Sequence, residues 1–232
     1  MKQFLVAHRG ASGTAAENTR KAFERAYDLG VEFVECDISL SKDGELIVFH
    51  DNTLDRLTTA KGWVKDYSLQ DLKKLHAENE PIATFSELTD LAKKVDKKVF
   101  VEIKGENRES VVQTTKKLAE FIRKNRIQER ITVISFWWDA IMQFKKEFPK
   151  TQAFLLLCNG ISGQKMLEWV KEVGADGVSS ESSYLSKEIV DLFHTNNFLV
   201  NAWTVNDNTT FNFVKDIGVD YITTNYPDRF KI

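Results

Sequence analysis

Short apolar runs alternate with segments of helical periodicity from one end of the chain to the other. The runs are "FLVA", "EFVECDI", "VFVEI", "ITVIS", "AFLLL", "DGVSS", "FLVNAW" and "DYITT", eight in all. Strand-length apolar runs that alternate with helices predict repeated βα units on a parallel sheet, and eight repeats match a closed barrel. Between them, "NTRKAFERAYDLG" sets Ala22, Phe23, Ala26 and Tyr27 on one helical face and stops at Gly30, a natural C-terminal cap. The segments "ESVVQTTKKLAEFIRKN", "QKMLEWVKEVG", "SKEIVDLFHTN" and "NTTFNFVKDIG" read the same way. After "DYITT" only "NYPDRFKI" follows, so the last helix is expected to be very short.

One stretch breaks the rhythm. From "SLSKDGELIVFHDNTLDR" to "FSELTDLAKK" the chain is too long for a βα loop, and it carries its own signals. "SKDGEL" reads as a two-residue hairpin, "ELIVFH" as a strand, and Ser68 as the cap of a helix in "SLQDLKKL". With no Pro/Gly/Ser linker to set it apart, residues 51–85 are expected to form a small insertion over one end of a single 1–232 domain.

Composition narrows the class. The chain has 232 residues, with 32 Lys and Arg against 34 Asp and Glu, for a formal charge of −2. The signs are interspersed, so no basic footprint for nucleic acid is present, and a small or locally charged substrate fits better. Cys36 and Cys158 show no CxxC spacing and read as buried, reduced strand thiols. The chain opens directly into "FLVA", and no apolar run reaches membrane-spanning length. A cytoplasmic protein without stable membrane insertion is expected.

Chemistry gathers at the C-terminal ends of the first strands, where a (β/α)8 barrel places its active site. "FLVAHRG" puts His8 and Arg9 just past an apolar run, and "ELIVFHDN" repeats that layout at His50. In "VECDI" strand alternation sends Glu35 and Asp37 to one face and Cys36 to the other; "VEIKG" does the same with Glu102 and Lys104. Three converging carboxylates form an oxygen-rich pocket suited to a hard divalent cation such as Mg2+ or Ca2+. Salt bridges to Arg9 and Lys104 are the plainer reading of any one of them, and it weakens once two histidines share the same mouth. Two near-neutral imidazoles beside a metal and two fixed cations suit reaction at a phosphate ester, with one histidine accepting and the other donating a proton. His76 and His194 sit near predicted helix ends and are expected to be structural.

The motifs "HRG", "ENT" followed by "AF", "ECDI", "SKDG", "VFHD", "TLDRLT", "VEIK", "SF", "WTVN" and "NYPD", in order from His8 to Asp228, resemble those of the glycerophosphodiester phosphodiesterase family. That resemblance implies a TIM barrel with a small insertion after the second strand. It implies hydrolysis of glycerophosphodiesters, such as glycerophosphocholine and glycerophosphoethanolamine, to glycerol 3-phosphate and an alcohol. Residue by residue, it implies Glu35, Asp37 and Glu102 as metal ligands and His8 and His50 as catalytic residues. Arg9 and Lys104 match phosphate-contacting positions, and Phe136 and Trp203 match positions lining the substrate cleft. The chain departs from the family pattern at Ala16, where the family usually has proline, and at Asn225, where many members have aspartate. Attack by the neighbouring glycerol hydroxyl, through a cyclic phosphate, is the mechanism this combination suggests. A phospholipase D-like lyase that releases the cyclic phosphate, and a non-catalytic barrel that binds phosphometabolites, are the alternatives.

Overall fold

The structure, a computed structural model, describes residues 2–232. Eight parallel strands form a closed barrel: β1 (Phe4–Ala7), β2 (Phe33–Leu40), β3 (Lys98–Ile103), β4 (Ile131–Ser135), β5 (Ala153–Leu157), β6 (Gly177–Glu181), β7 (Leu199–Trp203) and β8 (Tyr221–Thr224). Each pairs with its sequence neighbour, and β1 closes the ring by pairing with both β2 and β8. Seven helices run outside: α1 (Arg20–Asp28), α2 (Phe85–Lys94), α3 (Arg108–Asn125), α4 (Trp138–Glu147), α5 (Gly163–Val173), α6 (Lys187–Thr195) and α7 (Asn208–Ile217). The TIM barrel expected from the sequence is therefore the fold.

Strand alternation sorts the chain into two apolar layers. Along β2, Val34, Cys36 and Ile38 face outward into the large core between sheet and helices, with Phe23 of α1 and Phe85 of α2. Phe33 faces inward, where it joins Phe100, Phe154 and Tyr221 to close one end of the barrel. Their rings meet largely edge to face, Phe100 lying 5.5 Å from Phe33 and 5.1 Å from Tyr221. Replacing Phe100 with alanine should cost about 3–5 kcal/mol of stability, read in a urea or thermal melt, because the ring is fully buried with aromatic neighbours on several sides. A loss below about 1 kcal/mol would show that the neighbouring rings collapse into the gap.

The excursion is built onto the far end of β2. Leu46–Val48 runs antiparallel to Ile38–Leu40, and Ala83–Thr84 pairs with that strand in turn. Where "SKDG" suggested a two-residue turn, the loop has three residues, Lys42 to Gly44, inside a Ser41–Glu45 backbone pair. Gly44 takes the positive φ of +76° that a three-residue hairpin demands. Ile47, Phe49, Leu54, Val64, Leu72 and Ile82 give the excursion a small core of its own. Ser68 does cap a helix, accepting from the Asp71 N–H, but that helix spans only Leu69–Leu72.

Other expectations need correction. His76 is not at a helix end; it lies in a short ribbon in which His76–Ala77 pairs with Glu80–Pro81. Cys158 is exposed, because β5 ends at Leu157 and the chain has already left the sheet. No helix follows β8: residues 227–229 form a turn, and Phe230 stacks on Phe211 of α7 at 4.5 Å. Helices α2 and α4 are additional to those the periodicity predicts. Helix α4 buries Ala140, Ile141 and Phe144 at helical spacing, but Trp137 at its cap makes no side-chain hydrogen bond, so no polar start signal announces it. Among the described residues, no helix is long and apolar enough to cross a membrane.

Candidate active site

At the C-terminal mouth of the barrel lies a cleft of about 130 Å3. Its polar wall carries His8, Arg9, Glu35, His50, Glu102 and Lys104; Ile134, Phe136, Leu156 and Trp203 form the apolar wall. All the site residues read from the sequence except Asp37 line this cleft, and Asp37 lies fully buried between them. Phe136 and Trp203 meet edge to face, 6.0 Å between ring centres. A second, more open groove of about 370 Å3 shares His50, Glu102, Lys104 and Phe136 and continues outward past Asp51, Asn52 and Trp137.

The loop after β1 is shaped by backbone geometry. His8 continues the barrel ladder by donating its backbone N–H to the Thr224 carbonyl. Arg9 then adopts φ +54°, an uncommon conformation for a residue with a Cβ, and its N–H turns to Glu35 Oε2 at 2.9 Å. Gly10 follows at φ +78°, where an added Cβ would lie 2.6 Å from the Ala22 backbone, so the glycine of "HRG" lets the loop pack on α1. The "ENT" triplet supports the same corner. Glu17 accepts from Arg9 Nη1 at 2.9 Å, Asn18 donates to Asp37 Oδ2 at 2.8 Å, and Thr19 caps α1.

Glu35, Asp37 and Glu102 each offer a carboxylate oxygen within 4.8 Å of the others. Arg9 Nε lies 3.3 Å from Asp37, and Lys104 Nζ lies 3.1 Å from Glu102 and 3.8 Å from Asp37. The salt bridges are therefore real, yet they leave two cations among three carboxylates. Burial, reinforced by Asp37 and Glu102, pushes Glu35 well above the usual carboxylate range. Glu102 is pushed up to about 7 by burial and by the Asp37 charge. Asp37 goes the other way: burial opposes its ionisation, but Arg9, Lys104 and His50 hold it below its ordinary value.

Two of these oxygens, Glu35 Oε1 and Asp37 Oδ1, are buried without a hydrogen-bond partner. Orphaned, mutually repelling carboxylate oxygens are costly unless a cation completes them. The donor set is all hard oxygen, so this triad fits a divalent metal ion.

The two histidines are held differently. His8 Nδ1 meets Asn225 Oδ1 at 2.6 Å. An amide oxygen only accepts, so Nδ1 carries the proton, and Nε2, 3.9 Å from Glu35 Oε2, presents its lone pair to the cleft. Burial, then the Arg9 charge, lowers His8 from its ordinary value to about 4. His50 Nδ1 instead lies 2.7 Å from the Asp51 carboxylate, which orients the ring.

Glu17, Asn18, Asp51 and Asn225 were not picked out as site residues by their chemistry. The motifs "ENT", "VFHD" and "NYPD" contained them, but only the fold shows which side chain each one holds.

The sequence profile of the glycerophosphoryl diester phosphodiesterase family matches residues 8–229. A glycerophosphodiester phosphodiesterase of Caldanaerobacter subterraneus subsp. tengcongensis is 32% identical over 241 residues, which cover 98% of this chain and 96% of the relative. One from Bacillus altitudinis is also 32% identical, over 97% of this chain and 95% of its own. Among solved structures, an Oleispira antarctica phosphodiesterase in complex with the product sn-glycerol-3-phosphate superposes with a TM-score of 0.91 at 26% identity, covering 98% of this chain and 95% of that one. With the fold, the site motifs and nearly the whole length in agreement, the chain belongs to the glycerophosphoryl diester phosphodiesterase family.

Proposed function

We propose that this phosphodiesterase hydrolyses glycerophosphodiesters, among them glycerophosphocholine and glycerophosphoethanolamine, to glycerol 3-phosphate and an alcohol, with a divalent cation, Mg2+ or Ca2+, on Glu35, Asp37 and Glu102. The observation that carries the reading is the convergence of that triad, Arg9, Lys104 and two differently held histidines on one small cleft. Glycerol 3-phosphate, which the Oleispira antarctica relative holds as product, carries a phosphate of the kind that Arg9 and Lys104 can pair with. When bound, the cation neutralises negative charge on the phosphoryl oxygens.

The chain's own groups do the rest. Arg9 and Lys104 grip the phosphate, while Phe136 and Trp203 cover the hydrocarbon face of the substrate. His8, neutral and with Nε2 free, takes the proton of the neighbouring glycerol hydroxyl as its oxygen attacks phosphorus. The bond from phosphorus to the alcohol oxygen breaks, and His50 delivers a proton to that oxygen. Of the two histidines, only His50 lines both the cleft and the outer groove, which supports a departing alcohol on its side. Water then opens the cyclic phosphate from the same side, with His50 accepting its proton and His8 returning one to the glycerol oxygen.

Incubation of purified protein with glycerophosphocholine, followed by phosphorus NMR, tests this. Glycerol 3-phosphate should accumulate, with any cyclic phosphate transient. A cyclic phosphate that persists as the end product would make the protein a lyase, and no phosphorus product with any divalent cation would sink the reading.

Asn225 also makes a prediction. Asn225→Asp puts a carboxylate on His8 Nδ1, which stabilises the imidazolium and raises the His8 pKa from about 4. Because His8 must be neutral to accept a proton, the acid limb of the kcat/KM profile should move to higher pH by about 1 unit or more. An unmoved acid limb would rule out His8 as the base.

A further inference from the structure

The excursion reaches back to the barrel through one side chain. Arg56 donates from Nε to Asp51 Oδ2 at 2.6 Å and from Nη2 to Asp51 Oδ1 at 2.9 Å. It also donates from Nη2 and Nη1 to Glu17 Oε1 and Oε2, at 2.7 and 3.1 Å. Asp51 holds His50 Nδ1, and Glu17 holds Arg9, whose guanidinium lies against Asp37. An unbroken chain of alternating charges thus runs from His50 through Asp51, Arg56, Glu17 and Arg9 to Asp37. It ties the loop of one histidine to the loop of the other.

We propose that Arg56 is a positioning residue for the phosphodiesterase reaction: bridging Asp51 and Glu17, it fixes the orientation of His50 and its distance from the Arg9 side of the cleft. The proposal rests on the acid/base reading of His50 given above. A planar guanidinium can engage two carboxylates at once in a fixed plane, which an ammonium cannot. Arg56 itself is half-exposed, so its ion pairs add little to overall stability, and geometry is what they supply. Without Arg56, Asp51 would be free to rotate, and the His50 imidazole would lose the partner that sets its tautomer. The Arg56 hydrogen bonds, aided by His50 and opposed by partial burial, also hold Asp51 down at about 2, so it remains a carboxylate throughout the working range. This assigns a task to "TLDR" within the excursion, beyond covering one end of the barrel.

The test is a double-mutant cycle on the full chain, followed with glycerophosphocholine. Arg56→Gln should lower kcat about 10- to 100-fold with KM changed less than about threefold, and with a melting curve close to the parent. In a His50→Ala background the same change should cost less than about twofold, since its target is gone. An equal loss in both backgrounds would show that Arg56 does not act through His50. A KM rise with kcat retained would assign it to phosphate binding through Arg9; either result overturns the proposal. Near-parental turnover in His50→Ala alone would overturn both this proposal and the acid/base reading, whereas a collapse there with undiminished Arg56→Gln loss overturns only the former. Arg56→Lys keeps the charge and guards against a folding failure. It should stay within about threefold of Arg56→Gln in kcat, and full recovery would show that charge, not the planar bridge, is what matters.

Discussion

Replacing either His8 or His50 with alanine should reduce kcat by about 10^2- to 10^4-fold, the range that a positioned general acid or base contributes, equivalent to about 3–5 kcal/mol of barrel-mouth chemistry. Both side chains are mostly sequestered at the cleft rather than packed in an apolar layer, so melting temperatures should change little. The two losses should be far from additive, because proton removal and proton delivery occur in one transfer and the second deletion finds little left to remove. The variants should also part company by substrate. A glycerophosphodiester whose leaving group is a stable phenolate needs no proton at departure, so it should restore His50→Ala much more than His8→Ala. Equal rescue of both would reject the assignment of His8 as base and His50 as acid. Near-normal turnover of glycerophosphocholine by either variant would reject the pair altogether.

Chelation of divalent cations should lower turnover by at least about a hundredfold, and it should leave a distinctive mark on stability. In the metal-free protein Glu102 titrates near 7, against an ordinary 4.5, because burial and Asp37 disfavour its charge. Between those values the folded protein holds a proton that the unfolded chain has released, so the Glu102 contribution to stability falls as pH rises from about 4.5 to about 7 and then levels off. For Glu102 alone the loss is on the order of 3 kcal/mol. Glu35, raised in the same direction by burial and by its neighbours, adds to it. If a divalent cation binds the ionised triad as proposed, Mg2+ or Ca2+ at about 100 times its dissociation constant should add about 2.7 kcal/mol and flatten this decline. In a chain of 232 residues that is a rise of roughly 5–10 °C in Tm. Glu102→Gln should abolish most of the cation-induced rise while making the metal-free protein more stable above neutral pH. A Glu102→Gln variant that kept the full cation response would remove Glu102 from the metal site.

Much of the architecture was legible because the barrel repeats a simple pattern. Each of the eight strands buries both faces and so appears as an apolar run, whereas helices with clear polar caps, such as Asp207 before α7, announce themselves. Helix α4 failed that test because Trp137 offers no cap, and α2 was absorbed into the excursion although Thr84 and Glu87 form a capping box at its start. Cys158 misled for a local reason: one residue past β5 separates a buried thiol from an exposed one.

The sequence by itself determined the period, and with it the strand faces: E-x-D and E-x-K put Glu35, Asp37, Glu102 and Lys104 inward, because alternate residues of a strand share a side. Family-like motifs then marked His8, Arg9, His50, Phe136 and Trp203 around the same mouth. Tertiary structure alone decided the partners. Asn225 meets His8 across 217 positions of sequence and Arg56 meets Glu17 across 39, contacts that no local pattern encodes. The contact with Asn225 places His8 in a buried corner where burial and the Arg9 charge lower it to about 4, whereas His50 is held by the adjacent Asp51 beside the open groove; two identical imidazoles are set apart because a group answers to everything that surrounds it in the fold.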